Sequence, residues 1–146
     1  MAVQTIHIVQ TFQAPLEEVF STLSDHETFG RLCGINMKRV KDGAPNPNGL
    51  GAVRQINIGP LPSFDETITD FTDNALIEYK ITRGSPIKNH VGRLVFSEQG
   101  GATVLNYTIE LESKIPFTTG VIKSVLENGI AKGLRSYADS LALRAA

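Results

Sequence analysis

Hydrophobic and polar positions change period along this chain of 146 residues. Near its end, Ile122, Leu126, Ile130, Tyr137 and Leu141 fall on one stripe at helical spacing, with Gly129 and Gly133 set into it. Lys123, Glu127, Lys132, Arg135 and Asp139 lie largely off that stripe. The spacing predicts an amphipathic helix within 115–144. About 27 residues at 1.5 Å each make it roughly 40 Å long, longer than most helices of a small domain. Between residue 35 and that helix, nearly every segment reads as strand.

The first strand is predicted over Val3–Phe12, with Ile6, Ile8 and Phe12 in one phase. Ala14-Pro15 ends it, and Leu16, Val19, Phe20 and Leu23 mark a short helix. Ser24-Asp25 caps a second short helix that runs through Arg31. Six more strands follow, at Ile35–Lys41, Ala52–Ile58, Phe64–Phe71, Ala75–Thr82, His90–Phe96 and Thr103–Leu111. Residues 42–49 are dense in Gly, Pro and Asn and form a loop. Gly59-Pro-Leu-Pro62 is a break, and Pro116 closes the last strand and opens the long helix. Thr72-Asp-Asn74 and Glu98-Gln-Gly-Gly101 read as hairpin turns. The order is β-α-α-β6-α. Short connectors make consecutive strands antiparallel neighbours, so the expected fold is α+β, a seven-stranded antiparallel sheet with the long helix on one face. Neither a repeat nor a linker divides residues 1–146, which are read as one domain.

One long helix must then cover a whole sheet, and Gly129 and Gly133 remove volume where the two meet. That leaves two readings of the glycines: close packing, or room for a ligand. Alternation selects the side chains facing the helix. They are Phe64, Glu66, Ile68 and Asp70 in the third of the six strands, Ile77, Tyr79 and Ile81 in the next, His90, Gly92, Leu94 and Phe96 in the next, and Leu105, Tyr107, Ile109 and Leu111 in the last. Glu78, Lys80 and Thr82 face out. With Ile122, Leu126, Gly129, Ile130, Gly133 and Tyr137 from the helix, the inward set makes a mainly apolar wall. A few convergent polar groups on such a wall are the usual form of a small-molecule site.

Glu66 and His90 are the candidate catalytic residues. Desolvation of an inward Glu66 raises its pKa and suits it to general acid–base work; the alternative is an ion pair with Arg54 on the neighbouring strand, or simple contact with water. His90 titrates near neutral pH and is able to shuttle a proton; a solvated or backbone-bonded histidine is the alternative. Tyr79 and Tyr107 offer hydroxyls and rings to a flat ligand, or pack with satisfied hydroxyls. Arg54 either binds an anionic ligand bidentately or points outward, since alternation in 52–58 is ambiguous. His7 and His26 are read as surface residues.

Composition narrows the classes. A net charge of −1 gives no footprint for nucleic acid. Cys33 is the single cysteine, so no internal disulfide forms, and a catalytic thiol has no supporting motif. Cys/His spacing for zinc, a phosphate-cradling Gly-rich loop and a nucleophile-elbow serine are all absent from the sequence. With no signal-type segment and no run of 18 apolar residues, the expectation is a soluble, cytoplasmic protein, monomer or homodimer, without a membrane span.

Several segments in order carry a family resemblance over essentially the whole chain. They are Ala14-Pro-Leu-Glu-Glu-Val-Phe20, Leu23-Ser-Asp25, Gly49-Leu-Gly-Ala-Val-Arg54, Glu66-Thr-Ile-Thr-Asp-Phe71, Ile77-Glu-Tyr-Lys-Ile81, Gly92-Arg-Leu-Val-Phe96 and Gly100-Gly-Ala-Thr103, ending in the long helix. In this the chain resembles the START/Bet v 1-like (SRPBCC) helix-grip superfamily, in particular its polyketide cyclase/dehydrase-like group. The resemblance implies a curved sheet wrapped around the C-terminal helix. A cavity would lie between them, with its mouth near 59–63, 83–89 and the helix N-terminus. It implies a small hydrophobic ligand, lipid-like or aromatic. It also implies an alternative: a cofactor-independent cyclase/dehydrase in which Glu66 or His90 moves protons for aldol closure and water loss. A third class is an interaction or stress-related module with a vestigial cavity. A cavity on the order of several hundred Å³ with Glu66 and His90 inward favours the first two; a filled core counts against both.

Overall fold

The computed structural model describes residues 3–59, 62–115 and 117–145. Pro60, Leu61 and Pro116, assigned above to a chain break and to the strand–helix junction, lie outside them. The elements run β1 (Gln4–Phe12), α1 (Leu16–Ser24), α2 (His26–Cys33), β2 (Asn36–Lys41), β3 (Val53–Asn57), β4 (Phe64–Thr72), β5 (Leu76–Arg83), β6 (Ile87–Gln99), β7 (Ala102–Ser113) and α3 (Thr119–Ala145). The seven strands form one antiparallel sheet in the order β1-β7-β6-β5-β4-β3-β2. The expected α+β architecture is therefore the observed one, a helix-grip fold.

Local chemistry explains the element ends. Pro15 stands just before α1, and its carbonyl accepts from the Glu18 and Val19 amides, both at 3.1 Å. Asp25 caps α2 by accepting from the Thr28 amide at 2.9 Å, which holds its carboxyl below the usual range. At Gly100 and Gly101 the chain turns with φ of 57° and 83°, so the β6–β7 hairpin needs residues free of a side-chain clash. The α3 start is tied by its flanking hydroxyls. Thr118 donates to Ser113 Oγ at 2.7 Å, and Thr119 Oγ1 accepts from the Ser113 amide at 3.1 Å.

Alternation holds along β5, β6 and β7 but slips in β4. A register shift between Ile68 and Asp70 turns Asp70 to solvent and brings Phe71 inward, where its ring meets Phe20 at 5.4 Å. Glu78 faces outward as expected, yet it is buried beneath Arg93, with which it pairs, and accepts from Thr69 Oγ1 at 2.8 Å.

α3 lies on β1, α2 and, more lightly, β7. Its buried stripe is Ile130, Leu134, Ala138 and Leu141, with Tyr137 on the flank against Phe12. The first turns stand away from the sheet: Ile122 and Leu126 are half-buried, and Val121 and Val125 are exposed. Both glycines face the end of α2. A Cβ on Gly133 would sit 2.2 Å from the Leu32 carbonyl oxygen, and one on Gly129 3.3 Å from that of Cys33. This backbone-on-backbone contact gives the glycines a packing role instead of the ligand-lining one assigned to them above. Gly133→Leu should therefore cost about 1–3 kcal/mol or more through overpacking. Gly129→Ala should stay within about 1 kcal/mol of the parent, its gain in helix propensity offsetting a tight contact. Urea midpoints at unchanged m check both; a Gly133→Leu protein as stable as the parent would contradict the contact.

Candidate functional site

The site begins with cross-strand register. Arg54 on β3 lies opposite Glu66 on β4, Glu66 opposite Ile81 on β5, and Tyr79 opposite Gly92 on β6. All these side chains point to the α3 side. Gly92 is required there, because a Cβ at that position would fall 2.1 Å from the Tyr79 ring. The β5–β6 ladder stops at Tyr79–Gly92, and one step further the Ile81 amide donates to His90 Nδ1 at 3.2 Å. The imidazole thus takes a backbone donor that the ladder no longer pairs.

Arg54 and Glu66 are both almost fully buried. Arg54 Nε and Nη2 each reach Glu66 Oε1 at 2.8 Å. Arg54 Nη1 lies 3.3 Å from His26 Nδ1. The guanidinium carbon sits 4.3 Å from the Tyr79 ring centre and 5.7 Å from that of Phe29, so aromatic faces replace part of its lost hydration. Burial alone weakens the Arg54 charge, but Glu66 and the two tyrosines outweigh it and the pKa is raised. The Tyr79 and Tyr107 hydroxyls bond to each other, and burial raises both phenol pKa values.

His90 Nε2 is 3.7 Å from Glu66 Oε2. Burial lowers the His90 pKa, Glu66 opposes this, and Arg54 adds to it. The neutral ring accepts at Nδ1 from Ile81, so its proton is on Nε2, facing Glu66. His26, expected at the surface, is instead 2% exposed. Arg54 draws it inward as an acceptor, and burial followed by the Arg54 charge pushes its pKa down to about 3.

Between the sheet and α3 lies an inner cleft of about 30 Å³. Its walls include Phe64, Glu66, Tyr79, Ile81, His90, Tyr107, Leu126 and Ile130 from the predicted set. Ile109, also in the inward phase, joins them, whereas the sequence reading missed Phe29, Ile35, Met37, Ile56, Ile58 and Ile87 as walls. An apolar groove of about 150 Å³ adjoins it, sharing Ile58, Phe64, Ile87 and Leu126 and adding Val121, Ile122 and Val125. This groove lies between Ile58, Phe64 and Ile87 on the sheet side and the first turns of α3.

The remaining predicted wall residues are elsewhere. Arg54 stands behind Glu66. Ile68, Ile77, Leu94, Phe96 and Leu105 are packed core at the other end, where Phe20 of α1 meets Phe96 at 5.0 Å. Tyr137 packs on Phe12 at 5.2 Å. These spaces fall short of a cavity on the order of several hundred Å³, because Phe29, Arg54, Tyr79 and Tyr107 occupy much of the interior. The core is partly filled, which counts against a large enclosed ligand and leaves the cleft and the groove beside α3 as the open space. Cys33 is buried and its thiol is pushed up to about 12, which removes it as a nucleophile at neutral pH. Among the described residues no group of three or more His, Cys, Asp and Glu is placed to hold a metal ion, and no helix is long and apolar enough to cross a membrane.

A sheet closed around a terminal helix, with polar groups at the inner end of an apolar cleft, defines the helix-grip class of START/Bet v 1-like proteins. Residues 3–146 match the family described as polyketide cyclase / dehydrase and lipid transport, and the chain belongs to that family. Among solved structures, it is similar to the Zhui aromatase/cyclase from Streptomyces sp. R1128. That match has a TM-score of 0.77 and 13% identity, over 99% of this chain and 97% of that one. It is also similar to a START superfamily protein from Mycobacterium smegmatis, at a TM-score of 0.76 and 16% identity over 94% and 98% of the two chains. Ara h 8.0201 matches at a TM-score of 0.66 and 16% identity, over 95% and 99%. At such identities the likeness establishes the fold. No curated protein is significantly similar in sequence.

Proposed function

We propose that this protein binds a small hydrophobic molecule between the sheet and the first half of α3. One arrangement carries the reading: apolar walls converge on Glu66 and His90, and the space continues outward into an apolar groove beside the half-buried turns of α3. Ligand surface leaving water there contributes about 25 cal/mol per Å², and the polar end sets orientation. The lipid-transport part of the family description supports the same reading.

A second reading is a cofactor-independent cyclase/dehydrase-type reaction. A carboxylate oxygen and a neutral imidazole 3.7 Å apart are the observation that favours it, since such a pair is able to take and return a proton. The inner volume of about 30 Å³ favours binding over the folding of a long poly-β-ketone.

Native mass spectrometry of freshly purified protein should show a small-molecule adduct that is lost in Leu126→Trp, which fills the groove. Titration with propylbenzene should shift the methyl resonances of Ile58, Ile87 and Leu126. An adduct that survives Leu126→Trp, or methyls that do not move, would count against the cavity. Turnover of an offered substrate that disappears in Glu66→Gln or His90→Ala would favour the enzyme.

A further inference from the structure

We propose that the ligand of this cleft is an uncharged molecule whose apolar body ends in a hydroxyl, and that this hydroxyl bridges His90 Nε2 and Glu66 Oε2. The inference rests on the binding reading above and adds the chemical class of the ligand.

Size comes first. The inner cleft of about 30 Å³ has room for one water-sized group, while the adjoining groove of about 150 Å³ is apolar along its whole wall. A ligand using both spaces has a small polar tip and an apolar body.

Hydrogen-bond capacity then selects the tip. Glu66 Oε1 is taken twice by Arg54. Its Oε2 faces His90 Nε2 at 3.7 Å, too far for a hydrogen bond, and among the described residues no hydrogen bond reaches it. The His90 Nδ1 lone pair is occupied by the Ile81 amide, so Nε2–H is the group on offer. Between Glu66 and His90 the cleft therefore offers one donor and one acceptor, too far apart to satisfy each other, while the Tyr79 and Tyr107 hydroxyls on the same wall bond to each other. A hydroxyl accepts from Nε2–H and donates to Oε2, completing both. A ketone completes only the first. A hydrocarbon completes neither.

Charge excludes the common alternative. Among the described residues no Lys or Arg lines either space, and the buried Arg54 directs its Nε, Nη1 and Nη2 to Glu66 and His26. No guanidinium fork is turned to the cleft, so a ligand carboxylate would meet the Glu66 carboxylate without a free cation.

Three probes share one apolar body: 4-propylphenol, propylbenzene and 4-propylbenzoate. At pH 7.5 a phenol is neutral and a benzoate is charged. Calorimetry, with methyl NMR to locate binding, should show the phenol held about 10–100-fold more tightly than propylbenzene, the range set by hydrogen bonds to charged or polar partners. The benzoate should bind more weakly than either. In His90→Leu, which leaves the Arg54–Glu66 pair intact, the phenol-to-hydrocarbon ratio should fall toward one. A benzoate that binds as tightly as the phenol overturns this inference and leaves the cavity reading standing. So does equal binding of phenol and propylbenzene at Ile87 and Leu126, or a preference that persists in His90→Leu. Failure of all three probes to shift those methyls overturns the cavity reading and the inference together. The wild-type ratios alone decide the matter if His90→Leu does not fold.

Discussion

Arg54→Met should lower the unfolding free energy by about 3–5 kcal/mol, the cost of stranding one member of a buried ion pair. Glu66 is 7% exposed, and its closest partner is the Arg54 fork at 2.8 Å. Without Arg54 the carboxylate must ionise in an apolar interior or take up a proton. His26 loses the donor that holds it inward at the same time, and Tyr79 loses the cation over its ring. Arg54→Lys should fail to restore stability, because one ammonium cannot serve Glu66 Oε1 twice and reach His26 as well. Removing both charges is a different matter. Arg54→Met/Glu66→Leu should recover most of the loss, since apolar residues of similar volume often replace a buried pair at little cost. A urea-denaturation double-mutant cycle reads the coupling directly. Two single mutants that each lose less than about 1 kcal/mol, with no coupling, would rule out a tightly paired interior.

The same pair shows what alternation is able to reveal. β5, β6 and β7 are long enough for period two to place Tyr79, His90 and Tyr107 on one face, and the structure brings these three together. β3 has only five residues, so the direction of Arg54 stayed open. What settles it is the β3–β4 register, which sets Arg54 opposite Glu66 twelve positions on and selects the ion pair from the alternatives weighed for both residues. His26 was invisible for a related reason. It is a polar residue in the first turn of an eight-residue helix, and its burial depends on an arginine 28 positions away. The glycines of α3 announced a close approach without naming the partner, which proved to be α2 rather than a ligand. Cavity size was the least legible quantity. It depends on the side-chain directions of Phe29, Tyr79 and Tyr107, and the stacked Arg54 guanidinium sets those collectively. The fold thus follows from periodicity, whereas the polar interior follows from non-local register.

Acid should destabilise the protein well before its carboxylates alone would. His26 Nδ1 accepts from Arg54 Nη1 at 3.3 Å, so a proton on that nitrogen would set two donors against each other beside a full positive charge. Burial comes first among the causes, then the Arg54 charge; the Asn48 backbone and Asp25 oppose them, and the pKa falls from 6.5 to about 3. The unfolded chain takes up this proton as pH drops through about 6.5, while the folded chain refuses it until about 3. Across that window the unfolded state binds more protons, so stability rises with pH. The contribution is complete above about pH 6.5 and is lost as pH falls toward 3. At about 1.4 kcal/mol per pKa unit, the loss is roughly 4–5 kcal/mol. His90, also lowered by burial, adds in the same direction. His26→Gln separates this effect from ordinary acid denaturation. A glutamine carbonyl still accepts from Arg54 but does not titrate, so the variant should lose far less stability between pH 6.5 and 4. Urea midpoints at pH 7, 5.5 and 4 compare the two proteins. Parallel curves would place the acid sensitivity on other groups, whereas curves that converge at low pH locate it on the imidazole that holds Arg54.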